Sequence, residues 1–332
     1  MSTARWTGRA GWAEGELEGL SVGPEGLSLP EGRREGSFHA PVFLPEEGFD
    51  RAVPFWNART APGERVVVRA RAMRGGAPLG DWVRAATWSR EERGPRDAGA
   101  GPVKIDQDTL LIEGGADAIE VRATLERDTH EGRGPVLARL GVTTFSSKRP
   151  VPEHARTGDE RPPMRTGPYH TQRAEDPEIA MRICGPTSLA MALGACGIAT
   201  GPATVARAAR DPDGAIAFGN WAYLCATAAE HGLAAEVVSM RDLGELARAL
   251  AGDRLAILSL SFDKGELSGA PIESTAGHLV LARGFDEHGN VVVDDPAGRG
   301  EADGRVRYRP DELARAWKRG IAIVLEPVVR GR

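Results

Sequence analysis

Cys184 stands directly before Gly-Pro-Thr-Ser and an apolar run from Leu189 to Leu193. Pro186 suits the first turn of a helix that the Ala, Leu and Met residues carry onward, so the thiol falls where a loop turns into a buried helix. The unpaired amides of a helix N-terminus stabilise a sulfur anion, and the thiolate is the species that attacks a carbonyl carbon. A lone Cys in that position is more often simply a small core residue. What makes it a candidate nucleophile lies downstream.

Residues 277–284 read GHLVLARG, residues 285–290 form a polar turn, and residues 291–296 read VVVDDP, which together predict a β-hairpin. A two- or four-residue loop near His288 and Gly289 makes the sum of paired residue numbers odd, which puts His278 and Asp295 on one face. Asp294 then faces the other way, unless a bulge or a three-residue loop shifts the register by one. A carboxylate beside an imidazole fixes its tautomer and steadies the imidazolium formed when it takes a proton. The order along the chain is Cys, His, Asp.

The strings ICGPTSLAMAL, AGHLVLARGF and VVVDDPAG resemble the Peptidase_C39-like cysteine peptidases, relatives of the bacteriocin-processing, double-glycine-leader enzymes within the papain-like superfamily. The resemblance spans roughly residues 170 to 328, and other acyl-transfer families share the same residue order. It implies Cys184 as nucleophile, His278 as base and Asp295, directly before Pro296, as the orienting acid. It also implies an oxyanion-hole Gln shortly before the Cys. Gln172 is the one Gln within short reach upstream, at a longer spacing than in the leader peptidases; the alternative for it is a surface loop residue. A Gly-Asn-Trp string recurs in relatives at the position of GNWAYL, residues 219–224. Asn220 there caps a helix and Trp221 shapes a substrate cleft, or the pair is simply cap and core.

The elements that must position these groups fall in residues 170–332. Helices are expected from Pro186, over 203–210, and from Asn220 to about His231, closed by Gly232. Strand and helix then alternate: AEVVSM, LGELARALA, LAILSLSF, the His/Asp hairpin, RVRYR, PDELARAWKRG and IAIVLEP. A Cys-bearing helix followed by an antiparallel sheet that supplies His and Asp is an α+β, papain-like layout. The order of strands within that sheet does not follow from the pattern.

Residues 1–146 are of another kind. ERVVVRARAM, VKIDQDTLLI and AIEVRATLER alternate apolar and polar residues at period two between Gly-, Pro- and Asp-rich turns, and VLARLGVTTFSS is the last strand, which predicts an all-β sandwich. Trp6, Trp12, Trp56, Trp82 and Trp88 lie here, either in the sandwich core or lining a sugar- or peptide-binding face. The arrangement resembles the β-sandwich module that precedes this peptidase domain in some bacterial proteins. Between the halves, residues 147–169 are Pro-rich, charged and poor in apolar residues, and are expected to form an exposed linker that proteases cut first. His154 and His170, in or beside it, read as solvated.

At 332 residues the chain is long enough for two cores, so a multidomain protein is expected. A net charge of -5 and the absence of a basic stripe argue against nucleic acid as a partner. No apolar stretch has signal-peptide or membrane-span length, so the chain reads as soluble, or secreted if a leader has been trimmed. Cys184, Cys196 and Cys225 make neither a disulfide framework nor a metal-ligand pattern, and no cofactor is implied. The function expected is a thiol hydrolase acting on a peptide or protein substrate. The alternatives are a non-catalytic binder of cell-wall glycan or peptide, and an acyltransferase in which an amine or alcohol intercepts the thioester.

Overall fold

A computed structural model describes residues 3–90, 93–129, 134–148, 162 and 164–327. Most of the expected linker, including His154, lies outside the described residues. The described residues form two compact units. The first comprises residues up to Ser147 together with Asp211–Ala215 and Trp221–Glu230, and the second the remainder.

The first unit holds two antiparallel sheets, of eight and six strands. The strands Phe49–Arg59 and Val136–Phe145 pair along most of their length in one, and Glu64–Arg74 and Ala118–Arg127 do so in the other. VKIDQDTLLI is not one strand. It breaks into a tight hairpin, Val103–Asp106 and Thr109–Ala116, with Gln107 in the left-handed region at φ 57. Four of the five tryptophans, Trp6, Trp12, Trp56 and Trp88, are buried, and Trp82 is half-buried under the Arg71 guanidinium, 4.8 Å from the ring centroid.

Contrary to the expected boundary at 170–332, the helix Trp221–Glu230 packs in this first unit, against the strand Phe49–Arg59. The reason is aromatic. The Tyr223 ring meets Trp56 and Trp88 edge-on at 5.9 and 5.5 Å, a T-shaped geometry favoured by ring quadrupoles. The helix start is held in trans: the Asp108 carboxylate accepts the amides of Trp221 and Ala222 (3.2 Å to the latter). Burial pushes Asp108 up to about 6 against the pull of those amides. A carboxyl raised in the folded state favours folding most at low pH, and that contribution falls as pH rises from 3.8 through about 6. Asp108→Asn, which keeps an acceptor and loses the charge, should therefore gain in melting temperature relative to the parent above about pH 6 and match it near pH 4, readable by thermal melts across that range.

The second unit is built on one six-stranded antiparallel sheet. Its strands are β1 (Leu233–Ser239), β2 (Leu255–Phe262), β3 (Thr275–Phe285), β4 (Val291–Asp294), β5 (Arg305–Tyr308) and β6 (Ile321–Pro327), in the order β1-β6-β2-β3-β4-β5. Helices Leu243–Leu250 and Pro310–Ala316 bury Leu246, Leu250, Leu313 and Ala316 in a core shared with Leu258, Val280, Val293 and Trp317. The helix Cys184–Ala195 buries every residue from Gly185 to Leu193. The Ser188 hydroxyl ties it to β3 by donating to the Leu279 carbonyl at 2.9 Å.

The described end of the expected linker is part of this unit. The Arg165 amide donates to the Arg283 carbonyl at 3.0 Å, and Arg283 and Arg305 donate to the Pro168 and Gly167 carbonyls. Residues 165–169 are polar in composition, yet their backbone satisfies charged groups of the hairpin and so is not free chain. Among the described residues no helix is long and apolar enough to cross a membrane.

Candidate active site

The β3–β4 hairpin reaches its register by a route the parity argument did not foresee. Its loop is five residues, 286–290, so the pairs beside it, Phe285 with Val291 and Gly284 with Val292, have an even sum. Arg283 then bulges, and beyond it Ala282 pairs with Val293 and Leu281 with Asp294, an odd sum. The expected loop length is wrong and the bulge corrects it, because one extra residue on one strand restores the lost parity.

His278 and Asp295 consequently share a face. Nε2 of His278 lies 2.7 Å from Oδ1 of Asp295, and both side chains are buried. Nδ1 is then the ring nitrogen left for Cys184, whose thiol the imidazole draws below its ordinary value. Cys184 opens its helix with Ile183 as an N-cap that offers no side-chain bond, and it is partly exposed. Asp294 faces the opposite side, where it is buried between Arg283 and Arg305, with Arg305 Nε at 2.8 Å.

Charge within this cluster is mutually sustained. Burial alone would push the Cys184 thiol up, but the hydrogen bond and charge of His278 and the Leu279 and Gly185 amides hold it below its ordinary value. Burial likewise works to neutralise His278, and the Asp295 carboxylate, followed by the Cys184 sulfur, overrides it and pushes the imidazole up to about 10. Asp295 is also held down against burial, by His278, the Ala297 amide and the Tyr308 hydroxyl. A thiolate–imidazolium pair is the state these shifts favour.

Gln172 sits in a short helical turn, Gln172–Ala174, and is buried rather than at the surface. Its amide nitrogen on the backbone donates to the carbonyl of Pro296, next to Asp295, at 2.9 Å. The side-chain Nε2 has a thioether contact to Met181 Sδ at 3.8 Å, and Oε1 has no partner among the described residues. Asn220 is buried in the second unit, while Trp221 begins the helix of the first and is half-buried.

Residues 166–320 match the Peptidase_C39 like family, and residues 2–145 match the Peptidase C39 N-terminal domain. The chain carries a C39-like peptidase domain preceded by a C39 N-terminal domain. No curated protein matches it. Among solved structures the C39-like chain is similar to the peptidase domain of Streptococcus ComA, a bi-functional ABC transporter involved in a quorum-sensing pathway. The identity is 16%, over 44% of this chain and 93% of that one, with a TM-score of 0.33.

Sequence reasoning did not reach four groups that surround the C39-like site: the Tyr308 and Tyr169 phenols on Asp295 and the Arg283 and Arg305 guanidiniums on Asp294. Two of them left a trace, since a Tyr and an Arg in RVRYR interrupt a strand that pairs with the acid-bearing one.

Proposed function

We propose that the chain is a thiol hydrolase that cleaves peptide bonds through an acyl-enzyme. Cys184 attacks the scissile carbonyl as thiolate, the His278 imidazolium gives its proton to the leaving amine, and His278 then takes a proton from the water that releases the acyl group. Asp295 keeps the imidazole in the tautomer and charge state that both steps need. The Gln172 amide donates to the oxyanion, a role that suits a buried donor held by nothing stronger than a thioether. The observation that carries this reading is the 2.7 Å contact of His278 Nε2 with Asp295 beside a depressed thiol at a helix start.

In this reading the catalytic part is papain-like, residues 1–146 are an accessory β-sandwich, and Asn220 and Trp221 contribute to substrate binding. The substrate is a peptide or protein. The test is a thiol-directed activity probe followed by a peptide library. Iodoacetamide should label Cys184 before Cys196 or Cys225, and labelling should persist below the ordinary thiol range because the thiolate is paired. Cys196, pushed up by burial, should lag. Preferential labelling of Cys225 with Cys184 untouched would sink the assignment.

A further inference from the structure

Asp295 is held from more sides than a carboxylate needs merely to be buried. Oδ1 accepts from His278 Nε2 at 2.7 Å and from the Ala297 amide at 2.9 Å. Oδ2 accepts from the Tyr308 hydroxyl at 2.9 Å. The backbone carbonyl of Asp295 accepts from the Tyr169 hydroxyl at 2.7 Å. Tyr308 itself is fully buried, on β5, in a core of Val291, Val293, Leu313 and Trp317. Nothing in that apolar surrounding calls for a phenol where a Phe would fill the same space. A buried hydroxyl is retained at a desolvation cost unless it has a partner, and here the partner is the free oxygen of Asp295.

We propose that Tyr308 is a positioning residue for the thiol chemistry: by donating to Oδ2 it fixes the rotation of the Asp295 carboxylate and keeps it ionised, and so holds His278 as imidazolium against Cys184. The proposal rests on the reading of Cys184, His278 and Asp295 as the reactive set. With Oδ1 alone anchored, the carboxylate can turn about its terminal torsion, which is broad, and a buried anion with an unsatisfied oxygen gains affinity for a proton. Either change weakens the hold on the imidazolium and returns the thiol toward its ordinary titration. Burial and the charge of Asp295 raise the Tyr308 phenol far above its usual range, so it remains a donor wherever the enzyme could work. No group other than Asp295 and Tyr169 contributes to that shift beyond burial.

The measurement is the pH dependence of Cys184 alkylation by iodoacetamide in the full chain, for the parent, Tyr308→Phe and Asp295→Asn. Because a hydrogen bond to a charged group is lost, the midpoint of thiolate formation should rise by about one pH unit in Tyr308→Phe. It should rise in Asp295→Asn as well. A hydroxyl that served packing alone would lower the melting temperature and leave the midpoint in place. A shift in Asp295→Asn with none in Tyr308→Phe overturns the proposal and leaves the reactive set standing. No shift in either overturns both. Should Tyr308→Phe fail to fold, 3-fluorotyrosine at position 308 keeps the shape and strengthens the donor, and the midpoint should then fall; an unmoved midpoint in that protein overturns the proposal.

Discussion

Replacing Cys184 by Ala should abolish peptide cleavage, by roughly four orders of magnitude or more, while leaving the fold intact. The expected size follows from the unit in which the residues act: without the sulfur no acyl-enzyme forms, and the rest of the site retains only what binding and oxyanion donors supply. The fold is expected to survive because the sulfur is small and partly exposed and the helix N-cap does not use it. Turnover of any peptide found in a library screen, with circular dichroism of the variant as the control, checks both halves. Cleavage surviving in Cys184→Ala would mean that a different group attacks, and the acyl-enzyme reading would go with it.

The second large effect concerns stability and falls on the neighbour of the proposed acid. Asp294→Ala should lower the stability of the second unit by about 3–5 kcal/mol, since it leaves buried cationic charge without its counter-ion. Arg283 is fully buried, and Arg305 also reaches the same carboxylate. The measurement is denaturant unfolding of Asp294→Ala, Arg283→Leu and the double variant. Asp294→Ala alone should be worse than the pair together, because removing both partners removes the uncompensated charge. Additive losses would indicate that the two residues stabilise independently. Asp295→Asn, in contrast, keeps the volume of its site but trades one of two acceptor oxygens for a donor and removes the charge that sustains His278, so its cost should appear first in the thiol chemistry.

Much of the second unit could be read from the chain because its signals are local. LAILSLSF and IAIVLEP are apolar runs whose ends coincide with those of β2 and β6, and Pro310 opens its helix as a proline in the first turn should. The sheet order could not be read, since β6 inserts between β1 and β2 and no local pattern encodes a long-range pairing. The hairpin is instructive for a different reason. Parity arguments count loop residues and pass over the bulge at Arg283, although the adjacent Gly284, with φ 149, is the kind of strand glycine that accompanies one. Asp108 was invisible as a cap because it lies far from the helix it caps in sequence. Between the two readings of Gln172, oxyanion donor or surface loop residue, the sequence could not choose, because neither its burial nor its backbone bond to Pro296 leaves a mark in local composition.

The membership of the helix Trp221–Glu230 in the first unit also bears on the order of events during synthesis. Chains emerge N-terminus first, and a domain made of contiguous sequence is able to close as soon as its last residue clears the ribosome. Here the residues up to Ser147 come out with Trp56 and Trp88 lacking Tyr223, and the Asp108 carboxylate lacking the Trp221 and Ala222 amides. That vacancy lasts until position 230 has been added, by which time the Cys184 helix has already been translated. The first unit therefore completes only after a stretch belonging to the second has been made, and its aromatic seat stays unfilled while residues 148–230 are added.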